Sequence, residues 1–259
     1  MIIKREIVLI ILMCSIAINI FAIKPTQEQD SIRLMSYNIH RAEGMDEKID
    51  IKRIGTIILE VNPEVAALQE VDSVVNRSGN IDILKALAEQ TGMYHTFGYS
   101  ILHDGGKYGN GVLTKERPVN ASKIYLPGED EARTALIIEL EEYIIVNTHL
   151  SLTNMERLES VKIITEYIKG YDKPVFLLGD LNAEPHEDPI KWLESEKWVV
   201  LTDSLAPTFP STEPDITIDY IIGYKGDVFN YKTINSTVID NKIASDHRPI
   251  YTDVQIKRY

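Results

Sequence analysis

The chain has 259 residues and a formal net charge of −12, with 44% hydrophobic and 25% charged side chains. That balance excludes a fibrous or disordered chain and fits one globular domain with a sizeable core. So acidic a chain repels polyanions in general, although a bound metal or a local basic rim overrides the net field.

The opening MIIKREIVLIILMCSIAINIFA carries Lys4 and Arg5, an apolar run from Ile7 to Ile20, and the small residue Ala22. This is the layout of a secretory signal peptide over residues 1–22. A retained single-span anchor is the alternative, because the apolar run is near the lower length limit for crossing a bilayer. Cys14 is the only cysteine and lies inside that segment, so a mature chain of residues 23–259 has neither a disulfide nor a thiolate nucleophile. Cys14 as a lipid-attachment site is disfavoured by Leu12 and Met13, where a small residue is preferred. Export of a cysteine-free chain points to a bacterial periplasm or cell surface.

From Ser31 onward, strand-like and helix-like segments alternate. SIRLMSYN (31–38) is strand-like, Ile54, Ile57, Ile58 and Val61 recur at helical spacing, and VAAL (65–68) reads as a buried strand. Ile81, Leu84 and Ala88 mark a second helix that Gly92 can end. The apolar runs TALIIEL (134–140) and YIIVNTH (143–149) are separated only by Glu141 and Glu142, which predicts an antiparallel hairpin. Thr153 and Glu156 have the spacing of a capping box for a third helix, with Leu158, Val161 and Ile168 on one face and Gly170 past its end. PVFLLGD (174–180) is a further strand, Asp188-Pro189 starts a fourth helix, and TIDYIIG (217–223) and RPIYTDV (248–254) are the last strands. No repeat, low-complexity tract or separating linker divides the chain. The hairpin argues against a purely parallel sheet and for mixed sheets packed under helices.

Polar residues stand where these strands open into loops: Asn38, Glu70, His149, Asp180, Asn182, Asp219, Asp246 and His247. One Asn or Asp at a strand end ordinarily serves a turn, and a lone buried histidine is ordinarily a satisfied core residue. So many of the right chemical kinds at strand mouths is how a pocket is built.

Taken in order, the stretches SYNIH, LQEVD, YGNGVLTKERP, VNTHL, LLGDLNAEP, IDYII and SDHRP, from Arg33 to Val254, resemble the endonuclease/exonuclease/phosphatase superfamily. Its members include deoxyribonuclease I-like nucleases, neutral sphingomyelinases and inositol polyphosphate phosphatases. The resemblance implies an α/β four-layer sandwich, two packed mixed sheets flanked by helices. It also implies hydrolysis of a phosphate ester with a divalent metal, magnesium first and manganese as the alternative. Glu70 resembles the principal metal ligand, with Asn38 beside it and Asp246 contributing directly or through water; such hard oxygen donors suit magnesium. Asp180 resembles the residue that orients or deprotonates the attacking water, and Asn182 a donor to the phosphoryl oxygens. Asp219 is similar to the carboxylate that holds His247, and His149 to a second histidine that some relatives lack. An imidazolium on His247, favoured by Asp219, would hold a phosphoryl oxygen or assist the leaving group.

Asn110 within YGNG and Arg133 are further candidates for binding substrate, set against an ordinary turn for the first and a solvated surface arginine for the second. The same surface reading applies to Arg41 and Arg77. His40, His95, His103 and His186 read as structural or exposed, with His40, two residues past Asn38, the first exception to weigh, and the N-x-S/T sequons at Asn76, Asn120 and Asn235, a pattern common by chance, mean little if the source is bacterial.

Three functions are in play: an exported metal-dependent phosphodiesterase or phosphomonoesterase acting on a small or lipid-borne ester, an endonuclease of the same fold, and a non-catalytic binding module. The nuclease would want a basic stripe or aromatic stacking platforms, and no such cluster is visible in the sequence. The binding module predicts a missing ligand or histidine, and none of the matched positions is missing. The expected partner is the ester substrate; no protein partner is called for, and a monomer is expected.

Overall fold

The computed structural model describes residues 31–259; the leader or anchor expected over residues 1–22 lies outside the described residues. Among the described residues, no helix is long and apolar enough to cross a membrane.

The chain opens with β1 (Ile32–Asn38), α1 (Ile51–Val61), β2 (Val65–Ser73), α2 (Ile83–Thr91), β3 (Tyr94–His103) and β4 (Gly106–Thr114). It continues through β5 (Asn120–Leu126), β6 (Arg133–Glu139), β7 (Ile144–His149), α3 (Asn154–Ile168), β8 (Val175–Asp180), α4 (Asp188–Ser195) and β9 (Trp198–Val200). β10 (Asp219–Tyr224), β11 (Phe229–Val238) and β12 (Ile250–Arg258) complete it. Two six-stranded sheets result, in the orders β11-β12-β1-β2-β4-β3 and β5-β6-β7-β8-β10-β9. Both are mixed: β1 runs parallel to β2 and β7 to β8, and the other pairings are antiparallel.

The near-continuous apolar runs of the central strands follow from burial on both faces. In β7, Ile144 and Val146 face α3 and α4 while Ile145 faces the other sheet. In β1, Met35 and Tyr37 lie under α1 and α2 while Leu34 joins the layer between the sheets. Three apolar layers thus alternate with two sheets, the expected four-layer sandwich. Burying one such Leu, Ile or Phe contributes about 1.5–3 kcal/mol, so the sheet-to-sheet layer of Leu34, Val112, Leu136, Ile145, Phe176 and Ile221 is a major clamp.

Local signals account for most element ends. Asp50 accepts a hydrogen bond from the Arg53 amide to start α1, and Asp82 does the same from Lys85 for α2. Gly92 ends α2 in the left-handed region. Pro189 sits in the first turn of α4. Three expectations are corrected. Ile81 precedes α2 and is exposed. The capping box of α3 does not close: Thr153 makes no side-chain cap, because Glu156 accepts instead from the Ser151 hydroxyl and the Glu129 amide. YGNG is the middle of β4 rather than a turn before a strand.

Candidate active site

Strand register lays out the site. His149, Asp180 and Asp219 are cross-strand partners at the ends of β7, β8 and β10, so they form one row across the second sheet. Their side chains share a face, as cross-strand neighbours must. Gly179 makes the β7–β8 approach feasible: it has φ 154°, and a Cβ there would lie 2.0 Å from the Thr148 carbonyl oxygen.

Across the sandwich, the first sheet supplies Asn38 at the end of β1 and Glu70 in β2. The β2–β4 ladder breaks between Leu68 and Val71, where Gln69 and Glu70 together oppose the single residue Asn110. This bulge puts Glu70 in the left-handed region at φ 56°, a strained setting for a side chain that clusters at functional sites. Asn182, at φ 49°, is the other site residue so held. The bulge is pinned from the opposite sheet: buried Asn147 of β7 donates to the Leu68 and Gly111 carbonyls and accepts from Gln69 Nε2 at 2.8–2.9 Å.

The two rows meet at Asp180 and Asn38. Asn38 Nδ2 donates to Glu70 Oε1 and to Asp180 Oδ2, both at 3.1 Å. Asp180 Oδ2 also lies 3.5 Å from Nε2 of both His149 and His247. His247 Nδ1 is 2.9 Å from Asp219 Oδ2, which takes a second hydrogen bond from the Thr208 hydroxyl at 2.6 Å. Ser245 ties the loop before β12 to the site, its single hydroxyl hydrogen shared between the Asn38 carbonyl at 2.8 Å and Asp246 Oδ1 at 3.1 Å. Asn182 spends one amide hydrogen on the Leu150 carbonyl and keeps the other, while its backbone amide donates to Asp180 Oδ1.

Asp180, Asp219 and His247 are all at most 5% exposed, and this dryness sets their charges. Burial raises the Asp180 carboxyl to about 7, partly opposed by the His247 charge and the Asn38 hydrogen bond. For His247, burial alone would lower the imidazolium, but Asp219 and Asp180 outweigh it and raise it to about 10. Burial, then the charges of Arg133 and His247, push His149 well below the ordinary histidine value, so it is neutral at pH 7. Two adjacent histidines thus carry opposite protonation states. The Asp180, Asp219 and His247 ligand-type atoms lie within 4.8 Å of one another, a buried acid and histidine cluster that could take a metal ion.

The secondary candidates are also placed. Asn110 is buried, donates from Nδ2 to the Thr134 carbonyl at 3.0 Å, and leaves Oδ1 without a partner. Arg133 is not the solvated arginine expected: it is 9% exposed, pairs with Glu131 at 2.9 Å, and has a buried Nε without a partner. Arg77 is exposed, as expected, and is anchored by a two-pronged bond to fully buried Asp72 at 2.8 and 2.9 Å. Arg41 pairs with Glu43, and His40 sets its Nδ1 against the Glu43 carbonyl at 3.2 Å. The residues that sequence reading missed are Thr208, Ser245, Asn147 and Gln69, whose partners lie far away in sequence. Thr208 belongs to the proline- and serine-rich stretch 204–220, which borders the site: the Phe209 ring packs 4.7 Å from that of His247.

Such a sandwich, with acids and histidines gathered where both sheets open, defines a hydrolase-type fold whose family is recognisable. The endonuclease/exonuclease/phosphatase family matches residues 35–247, and the chain belongs to it. Among solved structures it is similar to an endonuclease/exonuclease/phosphatase from Beutenbergia cavernae DSM 12333, at 20% identity over 87% of this chain and 72% of that one, TM-score 0.69. It is also similar to a mannosyl-6-phosphatase from Bacteroides thetaiotaomicron VPI-5482, at 16% identity over 87% and 100% of the two chains, TM-score 0.71. The human Nocturnin catalytic domain with bound sulfate matches at 21% identity over 88% and 94%, TM-score 0.66. A search of curated proteins found no match.

Proposed function

We propose that the protein is a magnesium-dependent phosphoesterase in which Asp180 takes a proton from the attacking water and His247 holds the phosphoryl group. The observation that supports this most is the single oxygen, Asp180 Oδ2, set between Asn38 and two histidines of opposite charge state.

The donor set fits a hard divalent cation. Glu70 presents a half-buried carboxylate with only one oxygen committed, and Asp246 a half-buried carboxylate nearby through Ser245 and Asn38. Glu70, Asn38 and Asp246 would hold the ion; oxygen donors with few carboxylates match magnesium, with manganese as the alternative. The cluster of Asp180, Asp219 and His247 fits less well as the resident site, because His247 Nδ1 is already spent on Asp219 and the imidazolium offsets the acids. When bound, the cation would offset negative charge on the phosphate.

The chain's own residues do the rest. Asp180, poised near pH 7, accepts the proton as the water oxygen bonds to phosphorus and the bond from phosphorus to the ester oxygen breaks. The departing oxygen is protonated from solvent. His247, kept charged by Asp219, donates to a phosphoryl oxygen as negative charge builds there. Neutral His149 orients Asp180, and Arg133, Asn110 and Asn182 bind the remaining phosphoryl oxygens. Export to the periplasm or cell surface, with residues 1–22 as leader or anchor, completes this reading, together with a monomeric enzyme whose only partner is its substrate.

The test is hydrolysis of a chromogenic phosphodiester and a phosphomonoester by residues 23–259, with magnesium and with chelator, beside His247→Ala. Magnesium-dependent turnover lost in the variant supports the assignment. A folded protein that binds magnesium and cleaves neither ester sinks it.

A further inference from the structure

At the end of the sandwich away from His149 and Asp180, a cleft of about 830 Å³ opens, the size of a small-molecule pocket. Its apolar floor is Ile32, Tyr143, Phe229 and Ile256, all buried or half-buried, and its rim carries Glu64, Glu116, Glu141, Glu142 and Asp172. Glu64 is taken, paired with Lys115 at 3.3 Å and accepting from the Arg33 amide at 2.6 Å. Glu116, Glu141, Glu142 and Asp172 are exposed and form no ion pair among the described residues. Two cations line the same cleft and leave most of this charge standing. Lys173 is committed to Glu139 and the Leu140 carbonyl, both at 2.9 Å, and Arg258 lies over the Phe229 ring, 5.8 Å from its centre.

A second observation points to a ligand. Tyr143 is only 4% exposed and lines the cleft, yet its hydroxyl has no hydrogen-bond partner among the described residues, where a buried polar group is ordinarily satisfied. Its ring is held edge-on to Phe176 at 5.9 Å in the layer between the sheets, and its hydroxyl lies close enough to Glu116 and Glu64 to feel their charges. The spread of the acids decides what kind of cation belongs here. A metal ion needs its ligand atoms gathered, and among the described residues the group of three such atoms within 4.8 Å of one another is Asp180, Asp219 and His247, at the other end. Carboxylates set apart around an apolar floor suit instead several ammonium groups joined by methylene stretches, which lie on apolar surface while their charged ends reach the rim.

We propose that this cleft is a second binding site, for a linear polyamine. The methylenes lie on Ile32, Phe229 and Ile256, the ammonium groups meet Glu116, Glu141, Glu142 and Asp172, and one of them donates to the Tyr143 hydroxyl oxygen. A basic peptide carries the same charge but would have to strip water from its backbone amides to lie on that floor. The site shares no residue with the catalytic end, so it stands apart from the phosphoesterase reading.

Calorimetric titration of the full chain with spermidine, at physiological salt, tests this, and saturable binding of one spermidine per chain is expected. Glu141→Gln with Glu142→Gln is expected to weaken it at least about tenfold, as losing hydrogen bonds to charged groups does. Tyr143→Phe changes no charge and breaks no bond of the fold, and is expected to weaken it about threefold or more through the lost hydroxyl. Glu47→Gln with Glu194→Gln removes as much charge from exposed positions outside the cleft and is expected to leave the affinity within about twofold, because salt screens distant charges. Trilysine, of the same net charge as spermidine, is expected to bind more weakly, and magnesium at equal concentration to leave spermidine in place. The absence of saturable binding overturns the proposal, as does an equal loss in the Glu47 and Glu194 pair, which would mean diffuse attraction to an acidic surface. Trilysine binding as tightly as spermidine, or displacement by magnesium, overturns it in favour of a peptide or a metal ion.

Discussion

The C-terminal ends of β7 and β8 carry His149 and Asp180, while the opposite ends of the same strands border a cleft of about 830 Å³ lined by Glu64, Glu116, Glu141, Glu142, Asp172 and Lys173 among others. The roomy end has many charges, but they remain wet: Lys173 is held by Glu139 and the Leu140 carbonyl, and its ammonium is simply favoured by that bond. At the crowded end, Asp180, Asp219 and His247 have shed water and lean on one another. The difference teaches that space does not locate chemistry here. What does is the cost of burying charge, which forces shared protons and split protonation states.

Chelation gives the largest test of that contrast. Removing divalent metal is expected to abolish hydrolysis, with recovery on adding magnesium, and activity that persists in chelator would contradict a cation at Glu70. Next come single variants at the dry end: Asp180→Asn should lower kcat by about 10²–10⁴, with the near-native circular dichroism spectrum that a neutral isostere permits. His247→Ala should cost a similar order through lost charge on the phosphoryl oxygen. A weaker handle is pH. A base must be deprotonated, so the rate should rise as pH passes about 7, where Asp180 ionises, and fall above about 10, where His247 loses its proton. A profile flat between pH 5 and 8 would remove Asp180 from the role of base.

A smaller, purely structural effect separates scaffold from chemistry. Asn147→Ala removes the side-chain donor of the buried Leu68 and Gly111 carbonyls and leaves Gln69 Nε2 only its longer bonds to Ser36 and the Ala67 carbonyl, and should cost roughly 2–4 kcal/mol in denaturant unfolding. Smallest of all, Glu141→Gln with Glu142→Gln at the wet end should leave kcat unchanged and stability within about 0.5 kcal/mol, as exposed substitutions usually do. A loss of turnover there would break the comparison.

Legibility in the sequence followed the same division. Strand runs such as PVFLLGD and the Glu141–Glu142 hairpin were readable because period and turn length are local, and His149, Asp180 and Asp219 were named because the first two end apolar runs and the third opens one. Thr208, Ser245 and Asn147 were not, since an ordinary Ser, Thr or Asn becomes part of a site only through a partner brought in by the other sheet or a distant loop. YGNG misled because its glycines answer to close packing inside β4, where Gly109 abuts the Gly98 carbonyl, rather than to a turn. The exposed default failed for Arg133, where Glu131 compensates a buried guanidinium at short range, and held for Arg77, which stays exposed while it grips buried Asp72.

The order of strands also bears on how the protein is made. β12 lies between β11 and β1, and His247 stands just ahead of it, so β1 can pair early with β2 but finds its second neighbour only when β12 is complete. A ribosome feeding the chain out from its N-terminus therefore leaves β1 with one bare edge and His247 undelivered until β12 emerges. A chain wired in this way keeps its site incomplete for as long as it is still being built.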